Sequence, residues 1–240
     1  MFVIFSGEGP TDMGTFDGIS SQVGPMAKMA AQWIERKLGY SVIDSASFTL
    51  KEERDLTRKA KSIKPRSKRG KKSPAETKYY YKNARALAMI ALDEMAGRDD
   101  PAVIAILFRD ADGNAEHRRG NWDEKSRSMI VGFEEEQFVG GVPMVPMPKS
   151  EAWLLCALRD QYQRCARLEN TPGNDRSPNN LKDQLEVVLG EEATRMLLNE
   201  KIDDGEIDIN RINGMPSMDE FKKRLDEVLD QYIAQQYVAR

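Results

Sequence analysis

Three apolar runs, each closed by acidic residues in a short polar loop, constrain this chain more than any other feature. Met1–Phe5 leads into SGEGPTD with Glu8, Val103–Phe108 into RDADG with Asp110 and Asp112, and Val142–Met147 into PKSEAW with Glu151. Short apolar runs bounded by turn residues read as buried strands. Helical stripes lie between them, so the pattern alternates strand and helix. That order predicts an α/β fold: a mainly parallel central sheet with helices on both faces and right-handed crossovers. In such sheets the residues just past the carboxyl ends of the strands line the ligand crevice.

The stripe Met26, Met29, Ala30, Trp33, Ile34, Leu38 predicts a helix that Gly39 ends. Residues 6–25, rich in Gly, Ser, Thr and Pro, read as a loop, and Tyr40–Phe48 as a second strand. Helices are expected over Pro74–Gly97, Trp122–Phe138, Ser150–Leu168, Leu181–Leu189, Glu191–Asn199 and Ser217–Tyr237. Ser217 with Glu220 has capping-box spacing. The division expected is a catalytic domain over 1–160, carrying a basic insert at about 51–75, and a helical C-terminal extension over 161–240.

The hydrophobic fraction, 40%, suffices for a core. No apolar run approaches the ~20 residues of a membrane span, and the N-terminus has no leader-like pattern, so a cytoplasmic protein is expected. Cys156 and Cys165 show no metal-ligand spacing and read as thiols on one helix in a reducing compartment. His117 is the one histidine, which argues against histidine-rich zinc sites. Net charge is -3, yet positions 58–72 hold nine basic residues and no acid. Lys61, Lys64, Arg66, Lys68, Arg69, Lys71 and Lys72 are the candidates for drawing in a nucleic-acid backbone. Tyr79, Tyr80 and Tyr81 follow directly and offer either stacking faces or core.

Glu8, Asp110, Asp112 and Glu151 gathered at one sheet edge would repel one another unless cations sat between them. Hard oxygen donors of that kind suit Mg²⁺ or Mn²⁺ acting on phosphate esters. Asp12 can either cap a helix or join the ligands. Lys149 can neutralise charge on a phosphate or leaving oxygen. Each has a plain alternative: Glu8 in an ordinary turn, Glu151 at a helix N-terminus where the dipole favours it, Lys149 in solvent. Arg109 is expected to point the other way and to pair with an acid.

The strand–GEGPTD, strand–RDADG and PKSEAWLL segments, over roughly residues 1–160, resemble the TOPRIM domain, and most closely TOPRIM-like nucleases of the OLD group and their small stand-alone bacterial relatives. The resemblance implies metal binding by Glu8, Asp12, Asp110, Asp112 and Glu151, with Lys149 and Lys182 as weaker candidates for an assisting lysine. It implies a metal-dependent nuclease acting on DNA or RNA. Such relatives are often encoded beside ATPases in antiphage defence, and this chain has no GxxxxGK[ST] motif of its own. A separate ATPase partner is therefore expected, and self-association is left open. Two alternatives stand beside it. One is a non-catalytic TOPRIM-like subunit that docks through its acidic helical tail. The other is a haloacid-dehalogenase-type phosphatase with Asp110 as nucleophile, Asp112 as acid/base and Asp203–Asp204 as its downstream pair.

Overall fold

The computed structural model describes residues 1–16, 20–63, 75–99, 102–111, 118–158 and 165–238. In chain order the elements are β1 (Phe2–Gly7), β2 (Gly14–Phe16), β3 (Ser21–Val23), α1 (Pro25–Leu38), β4 (Phe48–Glu52), α2 (Glu53–Ser62), α3 (Ala75–Ala96), β5 (Val103–Phe108), α4 (Arg118–Glu135), β6 (Gly141–Met144), α5 (Ser150–Leu158), α6 (Leu181–Leu189), α7 (Arg195–Asp203) and α8 (Pro216–Val238). Two 3₁₀ turns, Cys165–Asn170 and Ile209–Arg211, join the C-terminal helices. β4, β1, β5 and β6 form one parallel sheet in that order. The expected α/β architecture, with extra C-terminal helices, is therefore present.

Period-two alternation sorts the central strands onto two cores. Val3, Phe5, Ile104, Ile106 and Phe108 face one side, with α1, α5 and the helices after Cys165. Phe2, Ile4, Val103, Ala105 and Leu107 face the other, with α2, α3 and α4. Burial on both faces is why these strands read as continuous apolar runs. The register sets the site: Gly7 lies opposite both Glu52 and Phe108, and Phe108 opposite Met144. All four strands thus end in one row, and the loops after them leave the same edge. Gly7 is required there, because a Cβ would stand 2.6 Å from the Phe108 carbonyl oxygen.

Several expectations are corrected. The second strand is Phe48–Glu52, not Tyr40–Phe48; residues 42–46 form turns that bury Val42, and β4 is an edge strand with half-buried, polar-looking residues. The 6–25 segment holds the β2–β3 hairpin. Helix α5 is described over Ser150–Leu158, and Cys156 and Cys165 form a disulfide with Cα atoms 5.4 Å apart. One continuous helix would hold them about 13.5 Å apart, so the reading of two thiols on one helix fails. The helix expected at Glu191–Asn199 starts at Arg195, where Thr194 accepts from the Leu197 N–H. Ser217 lies inside α8 rather than capping it: its hydroxyl donates to Glu169 and accepts from the Trp153 indole. Among the described residues no helix is long and apolar enough to cross a membrane.

Candidate functional site

The loop after β1 is shaped by glycine. Gly9 adopts φ 80°, and a Cβ there would meet the Asp12 Oδ2 at 2.9 Å. The Glu8 N–H donates to the Phe108 carbonyl at 3.3 Å, tying the loop to the end of β5. Glu8 Oε2 is buried and forms an ion pair with Arg109 Nε at 3.2 Å. The Arg109 guanidinium also lies 5.3 Å from the centre of the Tyr80 ring. Arg109 therefore pairs with an acid, and that acid is Glu8, one of the candidate site residues.

Asp12 had two readings, and the backbone separates them. Its carbonyl oxygen, not its carboxylate, accepts the Met26 N–H in the first turn of α1. The carboxylate turns toward Ser150, whose hydroxyl donates to Asp12 Oδ1 at 3.4 Å. The backbone N–H of the same serine donates to Asp110 Oδ1 at 2.9 Å. One residue at the start of α5 thus joins the acid after β1 to the acid after β5. Glu151 is the next residue. Burial pushes the Asp12 carboxyl up to about 6, and the charges of Glu151 and then Glu8 add to the rise, against the Ser150 hydrogen bond. Glu8, Asp12 and Glu151 accordingly share one electrostatic environment, with Asp110 one hydrogen bond away through Ser150.

The main chain around Asp110 is held from the opposite core. The Arg109 N–H donates to Met144 O and the Ala111 N–H to Pro146 O, both at 3.0 Å. These bonds carry the β5–β6 pairing past the sheet edge. The Tyr80 hydroxyl donates to the Asp110 carbonyl at 2.9 Å, and the buried Lys125 ammonium donates to the Ala111 carbonyl. Of the three tyrosines, Tyr80 is therefore core rather than a stacking face. Trp153, Leu154 and Leu155 are buried behind Glu151.

The remaining candidates are spread more widely. Lys149 binds Asp175 at 2.8 Å. Lys182 faces Glu186 at 3.9 Å on α6. Lys61 is exposed on α2. Asp203 is engaged by Lys28 at 2.6 Å and Asp204 caps α7. Asp112, His117, Lys64, Arg66, Lys68, Arg69, Lys71 and Lys72 lie outside the described residues. Sequence reasoning treated Ser150 only as a helix start and missed its bridging role. The available signal was a serine directly before an acid, immediately after the third strand.

Among the described residues, no three acidic, histidine or cysteine side chains already form a chelating group. The donor chemistry nevertheless suits a divalent cation: hard carboxylate oxygens, with Asp12 raised first by burial and then by the like charges of Glu151 and Glu8. Comparison with family models, with curated proteins and with solved structures finds no match.

Proposed function

We propose that this chain is a TOPRIM-like, divalent-metal-dependent nuclease. The observation that carries the reading is the Ser150 bridge. Acids from two separate loops converge on one serine at the carboxyl edge of a parallel sheet, and a third acid follows that serine. Glu8, Asp12, Asp110, Asp112 and Glu151 are the residues that would hold Mg²⁺ or Mn²⁺. When bound, such an ion polarises a phosphodiester and makes water a better nucleophile. The chain's own part is to hold the carboxylates in place and to supply cations for the phosphate. Arg109 stands at the rim beside Glu8 for that purpose, and Lys149 is the second candidate.

The resemblance extends the proposal to antiphage defence in the cytoplasm beside a separate ATPase. The Cys156–Cys165 pair bears on that location, since such bonds are rare in reducing compartments. One observation favours a second reading, a metal-silent TOPRIM-like subunit that regulates its partner: the described acids do not already form a chelating group. Two measurements separate the readings. Plasmid, single-stranded DNA and total RNA are incubated with Mg²⁺ or Mn²⁺, using the Asp110→Ala/Asp112→Ala protein as control. Thermal shift with Mn²⁺ reports binding independently of activity. The nuclease reading expects cleavage and a Tm rise in the wild type, both absent from the double variant. Cleavage that survives the double substitution rules the mechanism out.

A further inference from the structure

A groove of about 560 Å³ runs between the sheet edge at β4 and helices α2 and α3. Its walls include Phe16, Lys51, Arg54, Arg58 and Lys59, and it ends at Ser62, the last residue of α2. Leu50, Lys51, Glu52 and Arg54 also line a second hollow of about 180 Å³ that reaches Gly7, Gly9 and Pro10. The two hollows share that wall, one with Ser62 at the end of α2 in its lining and the other with the two glycines flanking Glu8. In sequence, the run of basic residues begins in the groove wall at Arg58 and continues past Ser62.

The charges in this groove are arranged in depth. Arg54 and Arg58 side chains are 73% and 82% exposed, while their partners Glu52 and Asp55 are only 27% and 24% exposed. Those two acids are also committed to the capping box that starts α2. The α2 wall thus presents guanidinium outward over acids that are turned inward. Arg54 and Arg58 are one helical turn apart, about 6 Å along the axis, so both can face a single extended anion and take its phosphates bidentately. The α3 wall is reversed: Asp93 is 71% exposed and pairs with Lys59 of α2, which is 24% exposed. Phe16, at the end of β2, presents an exposed ring to the same groove. An exposed ring beside a line of arginines suits an unpaired base, because bases within a duplex are already stacked.

We infer that this groove is the track for a single-stranded nucleic acid, with Arg54 and Arg58 on successive phosphates, Phe16 beneath a base, and the strand led toward Glu8. The inference deepens the nuclease reading and rests on it for the direction of travel. DNA and RNA share the chemistry used, so both are tested.

The experiment measures fluorescence anisotropy of labelled dU20 and rU20 on the full chain in EDTA, across a salt series. Circular dichroism checks the fold of each variant. Phe16→Ala is expected to weaken binding about ten-fold. Arg54→Gln/Arg58→Gln should lower the slope of log affinity against log salt by about 1.4, two contacts at ~0.7 each. Asp93→Asn should tighten binding by releasing Lys59. Tighter binding of one oligonucleotide identifies the sugar class the groove prefers and supports the track. Wild-type affinity and salt slope in all three variants overturn it, as does equal competition by a duplex of the same length. Asp110→Asn, measured in parallel, separates this from the parent reading. Loss of cleavage with intact groove binding supports both. Binding in the groove by a wild type that cleaves nothing and takes no Mn²⁺ removes the nuclease and keeps the track.

Discussion

The two faces of the sheet are built differently, and the candidate site lies on the seam between them. One face is thick. It carries Trp153, Phe5, Phe108, Met26, Met29 and Ile34, and the C-terminal segment adds Ile207, Ile209, Ile212, Met215, Phe221 and Leu225 to the same core. The other is thin and alanine-rich, with Ala84, Ala86, Ala88, Ala91 and Ala105. There α4 approaches α3 so closely that a Cβ on Gly132 would lie 2.6 Å from the Tyr81 carbonyl oxygen. The thin face also buries polar groups, including Lys125 and Arg85, which pairs with half-buried Glu136. Asp12 is tied by its carbonyl to α1 on the thick side, and the Asp110 main chain by Tyr80 to α3 on the thin side. Ser150 closes the seam. The lesson is one of packing: large side chains fill one face and closely approaching helices the other, both faces bury polar contacts, and those on the thin face, Tyr80 and Lys125, hold the main chain beside Asp110.

The largest effect expected is on the thick face. Trp153 is fully buried, tilts against Phe221 with centroids 5.8 Å apart, and donates to Ser217 Oγ at 2.8 Å. Trp153→Ala should cost about 3–5 kcal/mol in urea unfolding. A cost below about 2 kcal/mol would mean that the C-terminal helices do not share this core. At the seam the sign reverses. The Asp12 carboxyl sits near 6 in the fold against an ordinary 3.8. Between those values the folded state holds a proton that the unfolded chain releases, so stability falls as pH rises from about 4 to about 6. Asp12→Asn should therefore match the wild type near pH 4 and exceed it near pH 8, by at most about 3 kcal/mol. Mn²⁺ should raise the wild-type Tm and leave the variant unmoved. A variant less stable than wild type at pH 8 without metal defeats the crowded-charge account.

These differences bear on what the sequence could disclose. The thick face was legible because its helices repeat apolar residues at helical spacing, as in Met26–Leu38, and because Gly39 takes the φ of 75° that a helix stop needs. The central strands were legible from unbroken apolar runs. β4 was not, since an edge strand reading FTLKE carries little hydrophobic signal, whereas Tyr40–Phe48 holds apolar residues that bury as turns. The β2–β3 hairpin was hidden because its pairing depends on Gly14 at φ 103°, packed against the Gln22 carbonyl, and a glycine-rich segment reads as loop. At the site, position just past an apolar strand marked Glu8 and Asp110. The Ser150 bridge was not visible, because it joins residues 138 and 40 positions apart and is made by one backbone N–H and one hydroxyl. The disulfide escaped for a related reason: periodicity ran one helix through both cysteines, whose Cα atoms lie 5.4 Å apart.

On the thin face a single methyl group should be felt. In an open helix, Gly→Ala stabilises by about 1 kcal/mol through propensity alone. At Gly132 the added Cβ would stand 2.7 Å from the Ala84 Cβ as well as against the Tyr81 carbonyl. Gly132→Ala should therefore destabilise, by about 2 kcal/mol. A stabilised variant would show that α3 and α4 can separate at little cost, and that the contrast between the faces is weaker than drawn.

The smallest effect expected is the most informative about the seam. Tyr80 is buried, and its hydroxyl donates to the Asp110 carbonyl from the thin face. Tyr80→Phe keeps the ring, its packing and the Arg109 stacking, and removes one hydrogen bond. The stability cost should be about 1 kcal/mol, well under that of Trp153→Ala. If the thin face serves geometry, the same change should also reduce the Mn²⁺-induced Tm rise, because the main chain that aims the Asp110 carboxylate at Ser150 would be less fixed. If it serves stability alone, the Mn²⁺ response should stay intact while the baseline Tm drops. A loss of metal response at nearly unchanged stability is the outcome expected, since the bond lies where the two cores meet and little apolar area depends on it.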